Sequence, residues 1–589
     1  MQLSTDNLSL AAIKNINKWL EEPKYAEYKA EVKSLIDNCD WSQLEDSFFK
    51  EIEFGTGGRR GKTGVGSNRI NKVTIGESAQ ALCEYALSFD EMAAKKGIAI
   101  AYDTRLTSLD LSRFVAQVVA ANGFKAYLFD GFRATPELSF AVRHLGCAAG
   151  IVISASHNPP SDNGFKVYWN DGGQLVSPHD KGVLAMADKI DDIKVIDYDK
   201  AVTEGSIALI GKEVDEAYIS AASSEALGDA RNLSIIYSPL HGTGQTSVLP
   251  VLRAVGFNDI SEVTEQMVPD GNFPTIPSGK PNPEEKSAND MAVAQLMAES
   301  ADIAITNDPD ADRIGIIVRQ ADKPVYLSGN QSAVLATDYA LKQLKKLGKL
   351  SSKNYIVKTI VTTDMLGALA SHYGVTIYSN LLIGFKYIGE LILKKENTDE
   401  VFVIGGEESY GLLKGSYTRD KDAATGALPI VEYAAELKLE GKTLYDRLLE
   451  LYQEHGLYVE RLDNMICPGS TGFEKMQNIM NSLRQSAPKK VGGSEVTAVL
   501  GYKSLQRLDL ATGKVSSIDC LNSNIIVLEF GDVKKRITIR PSGTEPKLKF
   551  YIQWYQDINN DISVVEQYAC IESQIEKLAK ELELILLKF

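Results

Sequence analysis

Between residues 97 and 169 short apolar runs alternate with amphipathic stretches, and that alternation leaves few folds open. Residues 97–102 read as a strand and 108–122 as a helix with Leu109, Leu111, Phe114, Val118 and Val119 apolar. Residues 126–129 read as a strand, 136–145 as a helix and 150–153 as a buried strand. Strand–helix alternation predicts an α/β layer with ligand loops gathered at one edge of the sheet. The last of these strands opens into Ser154-Ala155-Ser156-His157-Asn158-Pro159-Pro160. Asn163-Gly164 then turns the chain into a second apolar run, 165–169, which Lys166 enters early. Asp103-Thr104-Arg105 ends the first strand, so Arg105 is expected near the same edge, as a site residue or in a structural ion pair.

The pattern recurs twice. A second unit has a strand at 233–237, the loop Ser238-Pro239-Leu240-His241-Gly242-Thr243-Gly244, a helix, and a long Pro/Gly/Asn-rich loop at 269–283. Its strand at 303–306 runs into Asp308-Pro309-Asp310-Ala311-Asp312-Arg313, and 314–318 continues as a strand. A third unit has a helix at 332–347, a strand at 355–361, the loop Ile383-Gly384-Phe385-Lys386 and a strand at 401–404. That strand opens into Gly405-Gly406-Glu407-Glu408-Ser409-Tyr410-Gly411, followed by Arg419-Asp420-Lys421-Asp422. The last unit has a strand at 536–539, the loop Arg540-Pro541-Ser542-Gly543-Thr544-Glu545-Pro546-Lys547, a strand at 548–553 and a helix at 563–587. Residues 1–50 read as a helical packing extension, with Tyr25, Tyr28, Val32 and Ile36 at helical spacing after Pro23. At roughly 150 residues per domain, a chain of 589 suggests about four. The divisions expected are a 1–50 extension and domains at 51–205, 206–325, 326–456 and 457–589.

A hydrophobic content of 44% and a charged content of 24% are ordinary for globular material. No apolar run reaches the roughly 18 residues of a membrane span, and the N-terminus lacks the apolar core of a signal peptide. The six cysteines form no metal or redox spacing, which fits free thiols in the cytoplasm. A net charge of −15 argues against nucleic acid or an anionic membrane as partner. An anionic small substrate remains open where cations are concentrated in loops.

Three loops carry chemistry. Asp308, Asp310 and Asp312 alternate, and in an extended loop such residues point to one side. Three converging carboxylates call for a cation, and hard oxygen donors suit Mg2+. A calcium EF-hand fails, because Arg313 and Arg319 stand where its glycine and glutamate belong. Ser156 is a weak nucleophile unless a base or metal assists it. Lys166 could donate to an oxygen or shuttle a proton, a role that burial beside cations would suit. His157, adjacent to Ser156, is expected to be poorly placed as its base and to stabilise the loop instead. No GxSxG elbow is present, which disfavours a serine hydrolase. Residues 53–64 combine glycines with Arg59, Arg60 and Lys62, and read either as an anion cradle or as a basic turn. Thr56 breaks the match to a nucleotide P-loop. Glu407 and Ser409 suit sugar hydroxyls. Arg540, Ser542 and Thr544 suit a phosphate. A nucleophile, a metal loop, a polyol reader and a dianion cradle together describe phosphoryl transfer on a phosphosugar.

With SASHNP, DPDADR, GEES and RPSGTEP standing in that order, the chain resembles the α-D-phosphohexomutase superfamily, the phosphoglucomutases and phosphomannomutases, over residues 54 to about 553. The resemblance implies an α/β protein of four domains around a central cleft, three related mixed α/β domains and a smaller C-terminal α+β domain. It implies a phosphoserine at Ser156, with Lys166 and Arg60 as further catalytic residues. Mg2+ would be held by Ser156, Asp308, Asp310 and Asp312. Substrate would be held by Arg313, Lys386, Glu407, Ser409, Lys421, Arg540, Ser542, Gly543 and Thr544. The implied reaction moves a phosphoryl group between carbon 1 and carbon 6 of a hexose through a sugar 1,6-bisphosphate. Glucose 1-phosphate and glucose 6-phosphate are the favoured pair, and mannose or pentose phosphates are alternatives. Ile383, where a threonine is common, and Gly411, where some relatives carry histidine, bear on that choice, whereas Ser154 in place of threonine is a mild change. The chain length and GEESYG resemble the long phosphoglucomutase and phosphopentomutase branch. A monomer or weak dimer is expected. A Mg2+-dependent sugar phosphatase is the rival enzyme class, and a binding protein on a degenerate mutase frame is the non-enzyme reading.

Overall fold

The computed structural model describes residues 3, 5–53, 58–187, 189–467, 472–542 and 547–588. Four main sheets follow one another along the chain. The first has six strands in the order Gly58–Lys62, Asp162–Trp169, Ala149–Ile153, Ile98–Tyr102, Ala126–Phe129, Ile207–Ile210. Its last four strands are parallel and its first two antiparallel. The parallel strands Ala149–Ile153 and Ile98–Tyr102 are buried at every residue, as a sheet covered by helices on both faces requires.

The second sheet, ordered Lys323–Leu327, Ile314–Gln320, Ile303–Asn307, Ile235–Ser238, Ile260–Glu262, again joins a parallel core to antiparallel strands. So does the third, Thr376–Leu381, Asn354–Thr359, Val401–Gly406, Leu412–Lys414. The fourth is antiparallel throughout, seven strands from Leu457–Ile466 to Val515–Ser517, backed by the helices Gly472–Gln485 and Val564–Leu586. Three mixed α/β units and a β-rich C-terminal unit are therefore present. No helix among the described residues is long and apolar enough to cross a membrane.

Several local expectations shift. Ile207–Ile210 pairs in parallel with Ala126–Phe129, so a division after residue 205 would cut a strand from the first sheet. Likewise Lys323–Leu327 pairs with Ile314–Gln320 across the division expected at 325. The helix expected from 332 begins at Gly329, because Ser328 and Gln331 form a reciprocal capping box. The stretch around Arg59 is no turn. Gly58–Lys62 is an edge strand whose Gly58 sits where a Cβ would lie 1.8 Å from the Phe165 carbonyl oxygen. Residues 54–57 of that motif lie outside the described residues. The N-terminal extension is helical, over Leu10–Glu21, Lys29–Asp37 and Trp41–Phe48, with a 3-10 segment at Pro23–Tyr28. Ala12, Ile16, Trp19, Val32, Leu44 and Phe48 pack there with Val65 and Val73 of the first unit.

Candidate active site

Each α/β unit delivers one loop from a sheet edge to a common centre. Ala149–Ile153 ends in the Ser156 loop. Ser156 is buried and has φ 52°, in the left-handed region that a serine seldom occupies. Its amide is held by the Ser154 hydroxyl at 2.8 Å. Its own hydroxyl donates to Asp308 Oδ2 at 2.6 Å and lies 3.0 Å from His157 Nδ1. The expectation that adjacency keeps His157 away from Ser156 Oγ is corrected, because the left-handed kink brings consecutive side chains to one side. Burial, followed by the charges of Arg313 and Arg60, holds His157 well below the usual imidazole range.

Ile303–Asn307 and Ile314–Gln320 flank the aspartate loop. It is a turn, not the extended segment expected. The Ala311 amide donates to the Asp308 carbonyl at 2.9 Å, and Ala311 has φ 51°. Asp308 Oδ1 accepts the amides of Asp312 (3.2 Å) and Arg313 (3.0 Å), which folds the loop around its first carboxylate. One ligand oxygen from each of Asp308, Asp310 and Asp312 lies within 4.8 Å of the others, and all three residues are buried. The loop Ser238–Gly244 supports the turn from below. Thr243 donates its amide to the Pro309 carbonyl at 2.8 Å, and a Cβ on Gly242 would meet Pro309 Cα at 2.3 Å.

Cations close the cluster. Lys166 Nζ is 2.5 Å from Asp310 Oδ2 and 3.7 Å from Asp312. Its direct partners are carboxylates, one of which it shares with a second lysine. Lys421, from the third unit, reaches Asp312 at 2.9 Å. Burial raises Asp308 far above the usual carboxylate range, and repulsion from Asp312 and Asp310 adds to it. Burial acts the same way on Asp310, but Lys166 outweighs it and holds that carboxyl low. Asp310 Oδ1 and Asp312 Oδ1 are buried with no hydrogen-bond partner. Unpartnered buried carboxylate oxygens in a cluster of hard donors fit a small divalent cation.

The other expected residues divide. Arg313 faces Glu284 at 2.5 Å and Asp312 at 3.9 Å. Glu407 is buried and accepts the Gly384 amide at 3.0 Å, so the GEES loop and the loop before Lys386 form one structure. Burial raises the Glu407 carboxyl, against the opposing pull of Lys421 and Arg313. Lys386 lies 3.8 Å from Asp180 of the first unit, and burial lowers its ammonium. Arg60 is half-buried within electrostatic reach of His157, whereas Arg59 is engaged by the Thr74 carbonyl (2.5 Å) and Glu77 (3.4 Å), and Lys62 by Asp46 (3.0 Å). Ser409 is half-buried. Arg540 stands near the end of Asp532–Pro541, close to Tyr551 and Tyr387, and Ser542 follows that strand. Gly543 and Thr544 lie outside the described residues.

Sequence reasoning missed Thr135. It starts the helix Thr135–His144, and its hydroxyl donates to Asp310 Oδ2 at 2.6 Å. Its position before Pro136, at the C-terminal edge of the first sheet, was the available signal.

Models of the phosphoglucomutase/phosphomannomutase alpha/beta/alpha domains I, II and III match residues 51–194, 216–321 and 328–455 in that order. The phosphoglucomutase of Staphylococcus epidermidis RP62A is 34% identical over 526 residues, 88% of this chain and 94% of that one. That of Staphylococcus aureus MRSA252 is 36% identical over 525 residues, 88% and 93%. Among solved structures, the Paramecium phosphoprotein pp63/parafusin, a phosphoglucomutase in its open form, aligns over 91% of this chain and 95% of that one, with TM-score 0.63 and 18% identity. A phosphoglucomutase/phosphomannomutase family protein from Burkholderia thailandensis aligns over 90% and 96%, with TM-score 0.63 and 17% identity. With three domain models in order and full-length relatives at this identity, the chain belongs to the phosphoglucomutase/phosphomannomutase family and is a phosphohexomutase, an intramolecular phosphotransferase.

Proposed function

We propose that this enzyme interconverts glucose 1-phosphate and glucose 6-phosphate, carries the phosphoryl group on Ser156, and passes through glucose 1,6-bisphosphate. The seat of Ser156 carries this reading: a buried hydroxyl donating to Asp308 at 2.6 Å, beside a carboxylate cluster closed by two lysines. The oxygen–phosphorus bond of phospho-Ser156 breaks as the C6 hydroxyl of glucose 1-phosphate takes the phosphoryl group, and the proton of that hydroxyl ends on the freed Ser156 Oγ. The bisphosphate turns end for end. Ser156 Oγ then takes the phosphoryl group from carbon 1, which restores the phosphoserine and leaves glucose 6-phosphate. Asp308, Asp310, Asp312 and the phosphate on Ser156 would hold Mg2+, which when bound neutralises charge on the transferring group. Lys166 and Lys421 keep positive charge against the same oxygens, with Arg60 and Arg313 beside them. Glu407 and Ser409 read sugar hydroxyls, Lys386 flanks them, and Arg540, Ser542, Gly543 and Thr544 hold the non-reacting phosphate. Burial of the cluster keeps water from hydrolysing the phosphoserine.

Glucose is favoured because relatives matched over most of the chain are phosphoglucomutases. The test supplies glucose 1-phosphate, Mg2+ and a trace of glucose 1,6-bisphosphate and follows glucose 6-phosphate against free phosphate. Isomer without phosphate is expected, and phosphate without isomer would make it a phosphatase. Mannose, ribose and glucosamine phosphates run in parallel fix the preference. Ser156→Ala should lose at least about 10^4-fold in turnover and the added mass of one phosphate. Full turnover in that variant would remove the serine from the mechanism.

A further inference from the structure

We propose that Arg105 is a positioning residue that locks the Ser156 loop in its reactive conformation and binds no substrate phosphate. Arg105 is 3% exposed. Its Nη2 donates to the carbonyls of Ser156 and Asn158, both at 2.6 Å, and its Nη1 to those of Pro159 (2.7 Å) and Asp162 (2.9 Å). Four carbonyls of one loop therefore converge on one guanidinium. Oxygens turned toward a common point repel unless a cation sits among them, and a planar fork of five donors matches them where an ammonium with three does not. The remaining donor, Nε, faces Asp103 at 3.3 Å. Asp103 in turn accepts the Arg105 amide (3.0 Å) and the Ser108 hydroxyl (2.6 Å), and Asn163 closes the ring onto Ser108 at 3.0 Å. All four Nη hydrogen bonds go to loop carbonyls, while Nε is buried against the Asp103 carboxylate without a hydrogen bond of its own.

The second unit presses the clamp shut. The Phe273 ring lies 5.2 Å from the guanidinium carbon. Gly271 approaches so closely that a Cβ there would meet Leu106 N at 2.4 Å and Arg105 Cα at 2.7 Å. The unit that supplies the aspartates thus also holds down the residue that shapes the serine loop. The 2.6 Å contact of Ser156 with Asp308 depends on both.

The clamp rests on Ser156 being the phosphoryl carrier, so intact mass of the wild-type enzyme is recorded beside the kinetics. An Ǻngström of displacement at a reacting group can cost about 100-fold in rate. Arg105→Ala is therefore expected to lower kcat about 100-fold with KM for glucose 1-phosphate within about threefold, and Arg105→Lys to fall between it and wild type. A raised KM with kcat retained would make Arg105 a phosphate ligand, and unchanged kinetics would show that the loop needs no clamp. Either result overturns the proposal. Should circular dichroism show Arg105→Ala unfolded, Phe273→Leu is read in its place: a several-fold lower kcat at unchanged KM is expected, and an unchanged kcat overturns the clamp. A wild-type enzyme that never carries phosphate on Ser156 under turnover would remove the serine assignment itself, and the clamp with it. Phosphorylated wild type with unaffected variants removes the clamp alone.

Discussion

One hydroxyl ties the first unit to the aspartate loop. Thr135 Oγ1 donates to Asp310 Oδ2 at 2.6 Å and its amide to the Asp310 carbonyl at 2.9 Å. Groups that orient a metal ligand typically account for 10–100-fold in metal affinity. We expect Thr135→Val to raise the Mg2+ concentration for half-maximal rate by about 10–100-fold, with Thr135→Ser close to wild type. A Mg2+ titration of turnover checks this, and an unchanged midpoint would make the hydroxyl dispensable. At this scale the sequence singled out Ser156 and the three aspartates by residue type alone, and the structure brings them into one cluster. The partners of His157 and Lys166 were hidden from it, because they depend on the backbone turn at Ser156 and on a carboxylate 144 residues away from the lysine.

Between elements, the loop after Asn354–Thr359 meets the C-terminal sheet. Arg536 on Asp532–Pro541 donates to both oxygens of Asp364, at 2.7 and 3.0 Å, and Lys358 lies 3.0 Å from the same carboxylate. Gln553 adds a bond to the Thr362 carbonyl at 2.9 Å. Burial raises the Asp364 carboxyl, but Lys358 and Arg536 outweigh it and hold the group at about 2, against 3.8 when free. A depressed acid stabilises the folded state fully above its free value, and that contribution fades as pH falls through about 2. Asp364→Asn should therefore cost on the order of 2 kcal/mol at neutral pH, with the difference from wild type shrinking toward pH 2. Denaturant unfolding at several pH values reads this, and a pH-independent difference would contradict it. The N-terminal helices offer a separate test. Trp19 is buried and stacks on Tyr25 at 4.5 Å. Trp19→Ala should cost about 3–5 kcal/mol locally, visible as faster amide exchange over Leu10–Phe48 with turnover retained.

Across the whole molecule the centre is an assembly of loops from different sheets. Lys166 and Thr135 come from the first, the aspartates from the second, Lys421 from the third. Tyr168 of the first unit also donates to Asp420 of the third at 2.7 Å. A cation bound among the carboxylates would therefore stabilise the joint between units, beyond the loop alone. Mg2+ at 100 times its dissociation constant should add about 2.7 kcal/mol to the folded state. Calorimetric melting with Mg2+ and with a chelator tests this. Asp312→Asn should abolish the Mg2+-dependent shift, and a shift that persists in that variant would place the ion elsewhere.

What the sequence determined by itself is local. Apolar runs without alternation made buried strands, Ser563 marked a helix start, and alternating aspartates behind Pro309 announced a carboxylate cluster. Each depends on residues a few positions apart. Tertiary structure decided what distance along the chain hides: Asp308 reaching Ser156 from 152 residues away, Arg59 and Lys62 absorbed into structural ion pairs, and Arg105 gathering four carbonyls of the serine loop. A hydrogen bond needs positions correct to a few tenths of an ångström. Only the packing of sheets, helices and loops from separate units fixes positions to that tolerance.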